Sequence, residues 1–433
     1  MNNYISTKEA RHIAKENRAA IAAIELQNKK QSSNVSNIPI AMKDSENVLE
    51  IEKLKTYFFT RTGTVRAVDG ISFDVPRGKT VGIVGESGCG KSITSLSVMH
   101  LLQNGYIVDG AIRFNAATAR ASAASPLYST AIDITKTPPA LMRRIRGNNI
   151  AMIFQDPMTS LNPVLNVGSQ IDEVVLHHFD DLCERGVICG GSKSAAHIDN
   201  KNMTATKIPP QSLAHGRSRA QRLLNPTART STKQKKEIAK ERTLQMLAQV
   251  GISADVYKRY PHELSGGMVQ RVMIAMALSC CPSLIIADEP TTALDVTIQA
   301  QILDLLCDIK NKINASIMLI THDLGVVAGM ADYVVVMYAG RIVEKGSAHD
   351  IFKNPAHPYT KGLMKSRPVL NMRVDRLYSI PGRVPNPVQM PAYCYFRDRC
   401  EYAGAECKQD YPPQTALSQT HYVSCYKACA ALD

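Results

Sequence analysis

The sequence predicts an α/β fold, in which a largely parallel sheet is flanked by helices and carries a phosphate-binding loop at one edge. Two observations point there. The first is a set of short apolar runs, TVGIVG (Thr80–Gly85), SLIIAD (Ser283–Asp288) and SIMLITHD (Ser316–Asp323), with helical patterns such as GGMVQRVMIAMALSC and VTIQAQILDLLCDIKNKI between them. Runs of this length suit buried strands, and their alternation with helices argues for parallel pairing through crossovers. The second is GESGCGKS (Gly85–Ser92), which follows the first run directly and fits G-x-x-x-x-G-K-[ST].

Bulk properties set the frame. The chain has 433 residues, 45% hydrophobic and 21% charged, enough for two or three globular domains. No uninterrupted apolar run approaches the roughly 20 residues of a membrane-spanning helix. The N-terminal stretch lacks the apolar core of a secretory signal. The expectation is a cytoplasmic chain with reduced thiols. The formal charge of +13 suits nucleic acid, an anionic membrane surface or simply basic loops.

Taken in order, residues 1–47 read as an extension. TKEARHIAKENRAAIAAIELQNKK predicts a solvated helical tail that Thr7 can cap, and QSSNVSN predicts a linker. From Val48 the pattern turns to β-rich runs. Two polar stretches read as insertions: Asn115–Pro139, rich in Ala, Ser and Thr, and Glu184–Lys236. The second holds much of the excess charge, in Arg217, Arg219, Arg222, Arg229, Lys233, Lys235 and Lys236. Such composition cannot easily bury a core. It also lacks the interleaved aromatics of a nucleic-acid-binding loop.

The chemistry sits around the phosphate loop. Gly85, Ser87, Gly88, Cys89 and Gly90 would surround phosphate oxygens with backbone N–H groups. Lys91 would reach the β- and γ-phosphates, and Ser92 would hold Mg²⁺. SLIIADEP brings Asp288 and Glu289 to the carboxyl end of a strand, where ligands of parallel sheets bind. There Asp288 can hold Mg²⁺ through water and Glu289 can polarise an attacking water. FQDP offers Gln155 as a polar ligand at a hinge, and ITHD offers His322 to a γ-phosphate. LSGGMVQR places Ser265, Gly266 and Gly267 before a helical pattern, a second helix N-terminus able to bind phosphate. One nucleotide does not need two such cradles from one chain, whereas two chains facing head-to-tail could each lend one.

These motifs together resemble the ATP-binding subunit of an ATP-binding cassette (ABC) transporter. Gly85–Ser92 match its Walker A loop, Gln155 its Q-loop and Leu264–Met268 its signature. Leu284–Glu289 match its Walker B strand, Ala293–Asp295 its D-loop and His322 its switch histidine. Tyr57 or Phe58 matches the residue that stacks on adenine. The resemblance implies a P-loop, RecA-like core with an antiparallel β subdomain and a helical subdomain. It implies a nucleotide-binding domain over residues 48–352, with the helical subdomain at about 156–261. It further implies a dimer of cassettes with ATP between them, Glu289 acting as general base on water, Asp295 at the shared seam, and Gln155 contacting Mg²⁺ and coupling closure to membrane subunits.

Beyond the core, NPAHPYTKGLMKSRP and IPGRVPNP resemble the oligopeptide and dipeptide permease branch, which also contains nickel importers. Residues 353–433 would then form a small Cys-rich C-terminal domain. Cys394, Cys400, Cys407 and Cys425 are separated by five, six and seventeen residues. Four thiolates can complete a zinc site or hold an iron–sulfur cluster, and the spacing does not choose. The resemblance implies a 4Fe–4S cluster, with Cys429 as a spare. Arg397, Arg399 and Lys427 are expected to keep the thiols deprotonated. The implied partners are a second ABC ATPase, two membrane permeases and, indirectly, an extracytoplasmic substrate-binding protein, with the chain on the cytoplasmic face of the inner membrane. The competing readings are import of nickel or another small solute, and a soluble ABC ATPase acting on nucleic acid.

Overall fold

The structure, a computed structural model, describes residues 7–33, 41–115, 131–188, 231–292, 294–366, 378–388 and 390–429. These residues form two sheets. Strands β1 (Asn47–Thr60) and β2 (Gly63–Pro76) make an antiparallel hairpin. After β3 (Thr80–Val84) the chain returns as β4 (Gly105–Asn115) and β5 (Ala131–Asp133), which extend the hairpin into a four-stranded antiparallel sheet of order β2-β1-β4-β5.

The second sheet contains β6 (Ile150–Ile153), β7 (Leu284–Asp288), β8 (Ser316–Ile320), β9 (Tyr333–Tyr338), β10 (Arg341–Ser347), β11 (Thr415–Ala416) and β12 (Tyr422–Val423). With β3 they run in the order β11-β12-β10-β9-β3-β8-β7-β6. The five strands from β9 to β6 are mutually parallel, whereas β10, β11 and β12 pair antiparallel. Every residue of β3, β7 and β8 is buried, as strands covered on both faces must be. Because they are parallel, the carboxyl ends of β3, β6, β7 and β8 meet along one edge.

The helices Val167–His177, Phe179–Glu184 and Thr232–Gln249 form a second layer with the helix Gly266–Leu278. Its apolar side chains, among them Ile171, Met246, Leu247 and Val272, join the core beneath β7 and β8. The sheet and this helical layer thus share a single interior.

Two expectations are corrected. The helix Thr7–Ser33 is not a freely solvated tail: Ile24 is buried, and the Asn17 amide donates to the Thr60 carbonyl at 2.8 Å. The Asn115–Pro139 stretch is not wholly an insertion. Ala131–Asp133 completes the antiparallel sheet, and the Asp133 carboxylate accepts from Thr135, which seats Ile134 in the core. The polar composition concealed a short element whose polar groups satisfy one another. The C-terminal region, expected as a small Cys-rich domain, packs directly on the cassette. Its β12 pairs with β10, and Tyr359, Tyr395 and Phe396 share one core with Val84 and Tyr338.

The limits of the basic segment also narrow. Arg185 is buried and donates to the carbonyls of Asn148, Cys280 and Cys281. Lys233, Lys235 and Lys236 lie on the helix Thr232–Gln249, which Ser231 and Gln234 cap reciprocally. Arg217, Arg219, Arg222 and Arg229 lie outside the described residues.

Candidate active site

The phosphate loop leaves β3 and ends in the helix Lys91–Val98. Two of its glycines are sterically required. Gly85 has φ +155°, and a Cβ there would stand 2.2 Å from the Met337 carbonyl oxygen. Gly90 has φ +101°, and its Cβ would stand 2.3 Å from the Ala67 carbonyl oxygen. The loop can therefore lie against neighbouring backbone only because both residues lack side chains. Cys89 is buried, so its thiol is held above its usual pKa and its contribution is backbone. Ser87 and Gly88 are exposed on the outer side of the loop.

Lys91 is 5% exposed, and its Nζ donates to the carbonyls of Gly85 at 2.8 Å and Glu86 at 3.1 Å. It is thus aimed into the loop it belongs to. Ser92, the next residue, donates to Asp288 Oδ1 at 3.1 Å, and Ser95, one turn further on, reaches Oδ2 at 3.4 Å. Burial and the neighbouring Glu289 raise the Asp288 pKa. A buried carboxylate beside a hydroxyl suits a hard divalent cation, which takes oxygen ligands and stabilises the ionised form. The residues present therefore fit Mg²⁺ and a polyphosphate.

Glu289 follows β7 with φ +47°, an uncommon conformation for a residue with a side chain. Its backbone N–H donates to the Ile320 carbonyl of β8 at 2.8 Å, which fixes the turn. Its carboxylate then gathers three side chains. Gln155, after β6, donates through Nε2 to Oε2 at 2.9 Å. Thr292 donates to the same oxygen at 3.0 Å, and His322, after β8, meets Oε1 through Nδ1 at 3.1 Å. Residues from three strand ends thus converge on one carboxylate beside the Ser92–Asp288 pair. Such a carboxylate can accept a proton from water while its neighbours hold it in place.

Tyr57 and Phe58 point to opposite faces of β1. The Phe58 ring lies against Gly105. The Tyr57 hydroxyl donates to Asp69 at 2.7 Å, and Asp69 is tied through Gly340 to the Cys89 carbonyl. Tyr57 therefore occupies the phosphate-loop side.

Ser265 precedes the helix Gly266–Leu278, and its side chain makes no capping hydrogen bond. Ser265 and Gly266 are exposed. Among the described residues no hydrogen bond joins this turn to the phosphate loop. Asp295 is likewise exposed at the start of the helix Val296–Ile313, and Val296 is 81% exposed. Ala293 lies outside the described residues.

Cys394, Cys400, Cys407 and Cys425 line a single cavity of about 10 Å³ near His357, and all four are free of disulfides. Among the described residues no group of three or more His, Cys, Asp or Glu is arranged to hold a metal ion. As arranged, the four thiols form neither a tetrahedral zinc site nor a cluster site. Four sulfur donors are of the kind that both zinc and iron–sulfur clusters take. The expected help from basic neighbours is corrected. Arg399 is paired with Glu86, Lys427 with Glu406 and Arg397 with Asp398, while burial pushes the Cys394 thiol up to about 11.

Known proteins show the same arrangement of sequence. The family described as ABC transporter matches residues 68–292, and the oligopeptide/dipeptide transporter C-terminal region matches residues 343–407. The oligopeptide transport ATP-binding protein AppD of Bacillus subtilis (strain 168) is 43% identical over 383 residues, covering 88% of this chain and 96% of that protein.

The chain belongs to the ABC transporter family. Within it, the dipeptide transport ATP-binding protein DppD of B. subtilis is 42% identical over 88% of this chain and 95% of that protein. DppD of Lactococcus lactis is 40% identical over 87% of this chain. Among solved structures, CbiO1 of Clostridium perfringens aligns at a TM-score of 0.48 and 22% identity, over 72% of this chain and 92% of that one. Two residues of this ABC cassette escaped sequence reasoning. Thr292 stands three residues after Glu289 in the same turn, and Ser95 stands one helical turn after Ser92, so the spacing of each was a usable signal.

Proposed function

We propose that this chain is the ATP-hydrolysing subunit of an ABC importer that energises uptake of oligo- or dipeptides across the cytoplasmic membrane. The observation that carries the reading is the Glu289 carboxylate, held by Gln155, Thr292 and His322 beside Ser92 and Asp288. Family membership and the peptide-transport names of the relatives support the cargo class.

In this reading Lys91 and the loop N–H groups bind the triphosphate of ATP, and Tyr57 stacks on adenine. Ser92 and Asp288, with Gln155, would hold Mg²⁺, which neutralises charge on the transferring phosphoryl group. Glu289 takes a proton from the attacking water, and His322 donates towards the γ-phosphate. The exposed Ser265–Gly267 turn serves the nucleotide of an opposing cassette, with Asp295 at the seam. That partner is a second ABC ATPase, identical or related. No helix among the described residues is long and apolar enough to cross a membrane. In this reading the work is delivered to permease subunits from the cytoplasmic face, and an extracytoplasmic binding protein selects cargo.

The test is uptake by cells carrying Glu289→Gln in the chromosomal copy. Labelled di- and oligopeptide uptake should fall to background, with nickel uptake unchanged. Normal peptide uptake with lost nickel uptake would overturn the cargo. We further assign a 4Fe–4S cluster to Cys394, Cys400, Cys407 and Cys425, on their convergence in the fold and their sulfur-only donor set. Anaerobically purified protein should show a broad absorbance near the visible range that Cys394→Ser removes; an unchanged spectrum would reject that ligand.

A further inference from the structure

The second residue of the phosphate loop, Glu86, is gripped from far along the chain. Its carboxylate forms a two-pronged ion pair with Arg399, at 2.7 Å from NH1 to Oε2 and 3.0 Å from NH2 to Oε1. Its backbone N–H donates to the Tyr359 hydroxyl at 2.8 Å. Both partners come from the C-terminal region, outside the motifs that define the nucleotide site.

The grip is rigid on the C-terminal side. Arg399 is 6% exposed in its side chain. Its Nε donates to the Pro381 carbonyl at 2.8 Å, and its guanidinium lies over the rings of Tyr338 and Phe396. Tyr359 is fully buried and packs edge-on against Phe396. A second brace reaches the base-facing side. Tyr395 donates to Asp69 Oδ2 at 3.0 Å, while Asp69 accepts from Tyr57 through Oδ1. The stretch from Tyr359 to Arg399 thus holds both the phosphate loop and the ring on its adenine side.

The physical consequence concerns charge. A carboxylate in the loop beside a polyphosphate repels it, and the repulsion grows where water is excluded. Arg399 neutralises Glu86 and holds its carboxylate against the C-terminal region, while Tyr359 fixes the backbone at the same residue. A cradle already held in place loses less affinity to ordering.

We propose that Arg399 and Tyr359 are positioning residues of the nucleotide site, which set its affinity for nucleotide by holding Glu86 out of the phosphate cradle. This rests on the nucleotide-site reading above. It makes the C-terminal region a determinant of ATP binding as well as the site of the cysteine cavity.

The test is calorimetric titration of the full chain with MgADP, which avoids turnover. Wild type should bind and Lys91→Ala should not; failure of either would overturn the nucleotide-site reading and this inference with it. Arg399→Ala should raise the Kd about tenfold, the scale of about 1.4 kcal/mol. Adding Glu86→Gln to Arg399→Ala should restore most of the affinity, since the freed carboxylate is the cause. Raising salt from about 0.1 M to about 1 M should shrink the Arg399→Ala defect, because the screening length falls from about 10 Å to about 3 Å. Arg399→Lys should be intermediate, with charge but no fork. Tyr359→Phe, which keeps the ring, should raise the Kd about threefold and stands in if Arg399→Ala does not fold. A wild-type Kd in Arg399→Ala, or a double variant no better than the single one, would overturn the proposal.

Discussion

Two corners of the molecule are assigned to phosphate under the proposed function, and they are finished differently. At the ends of β3, β6, β7 and β8 every functional side chain already has a partner: Lys91 its loop carbonyls, Ser92 Asp288, and Glu289 Gln155, Thr292 and His322. At the start of the helix Gly266–Leu278, Ser265 and Gly266 are exposed, and Ser265 makes no capping bond. The first corner is assembled by the fold of one chain. The second leaves Ser265 and Gly266 exposed at a helix N-terminus, where the proposed function places an anion held by another molecule. On the proposed reading, one half-site is built inward and the other outward.

Variants can break this contrast. The largest effect is expected at Glu289→Gln, which keeps the shape but removes the base: kcat for ATP should fall about 10³-fold with MgATP still bound. Near-normal hydrolysis would remove Glu289 from its role. Next comes Gly266→Asp. A Cβ there meets only Leu294 at 3.9 Å, so the new side chain fits. The added carboxylate opposes an incoming phosphate, and kcat in the assembled transporter should fall about 10²-fold. MgADP binding by the single chain should be retained; its loss would mean that the turn serves its own chain's nucleotide. The smallest effect is expected at Thr292→Ala, which removes one hydrogen bond to the Glu289 carboxylate and should lower kcat about tenfold with KM unchanged. A larger change in KM than in kcat would place Thr292 at the nucleotide instead.

The same contrast explains what could be read from sequence. The parallel strands were legible because burial on both faces leaves unbroken apolar runs, as in SLIIAD. Lys91, Ser92, Asp288 and Glu289 were legible because phosphate chemistry needs neighbours in contiguous motifs. The bonds between motifs were not, since Gln155 reaches Glu289 across 134 residues. In sequence Arg399 stands as a companion of the cysteines, because Cys400 is its neighbour. In space it answers to Glu86, 313 residues away. The choice between Tyr57 and Phe58 needed the strand pleat, which sends successive side chains to opposite faces. Ala131–Asp133 was missed because three residues are too few to show a period.

The most direct measurement is a structure of the assembled transporter with Glu289→Gln and MgATP bound. The Ser265 hydroxyl and the Gly266–Gly267 N–H groups of one cassette should lie within hydrogen-bond distance, about 2.7–3.2 Å, of the triphosphate held by the facing cassette's phosphate loop. A nucleotide-loaded assembly in which that turn faces solvent, well away from any phosphate, would contradict it.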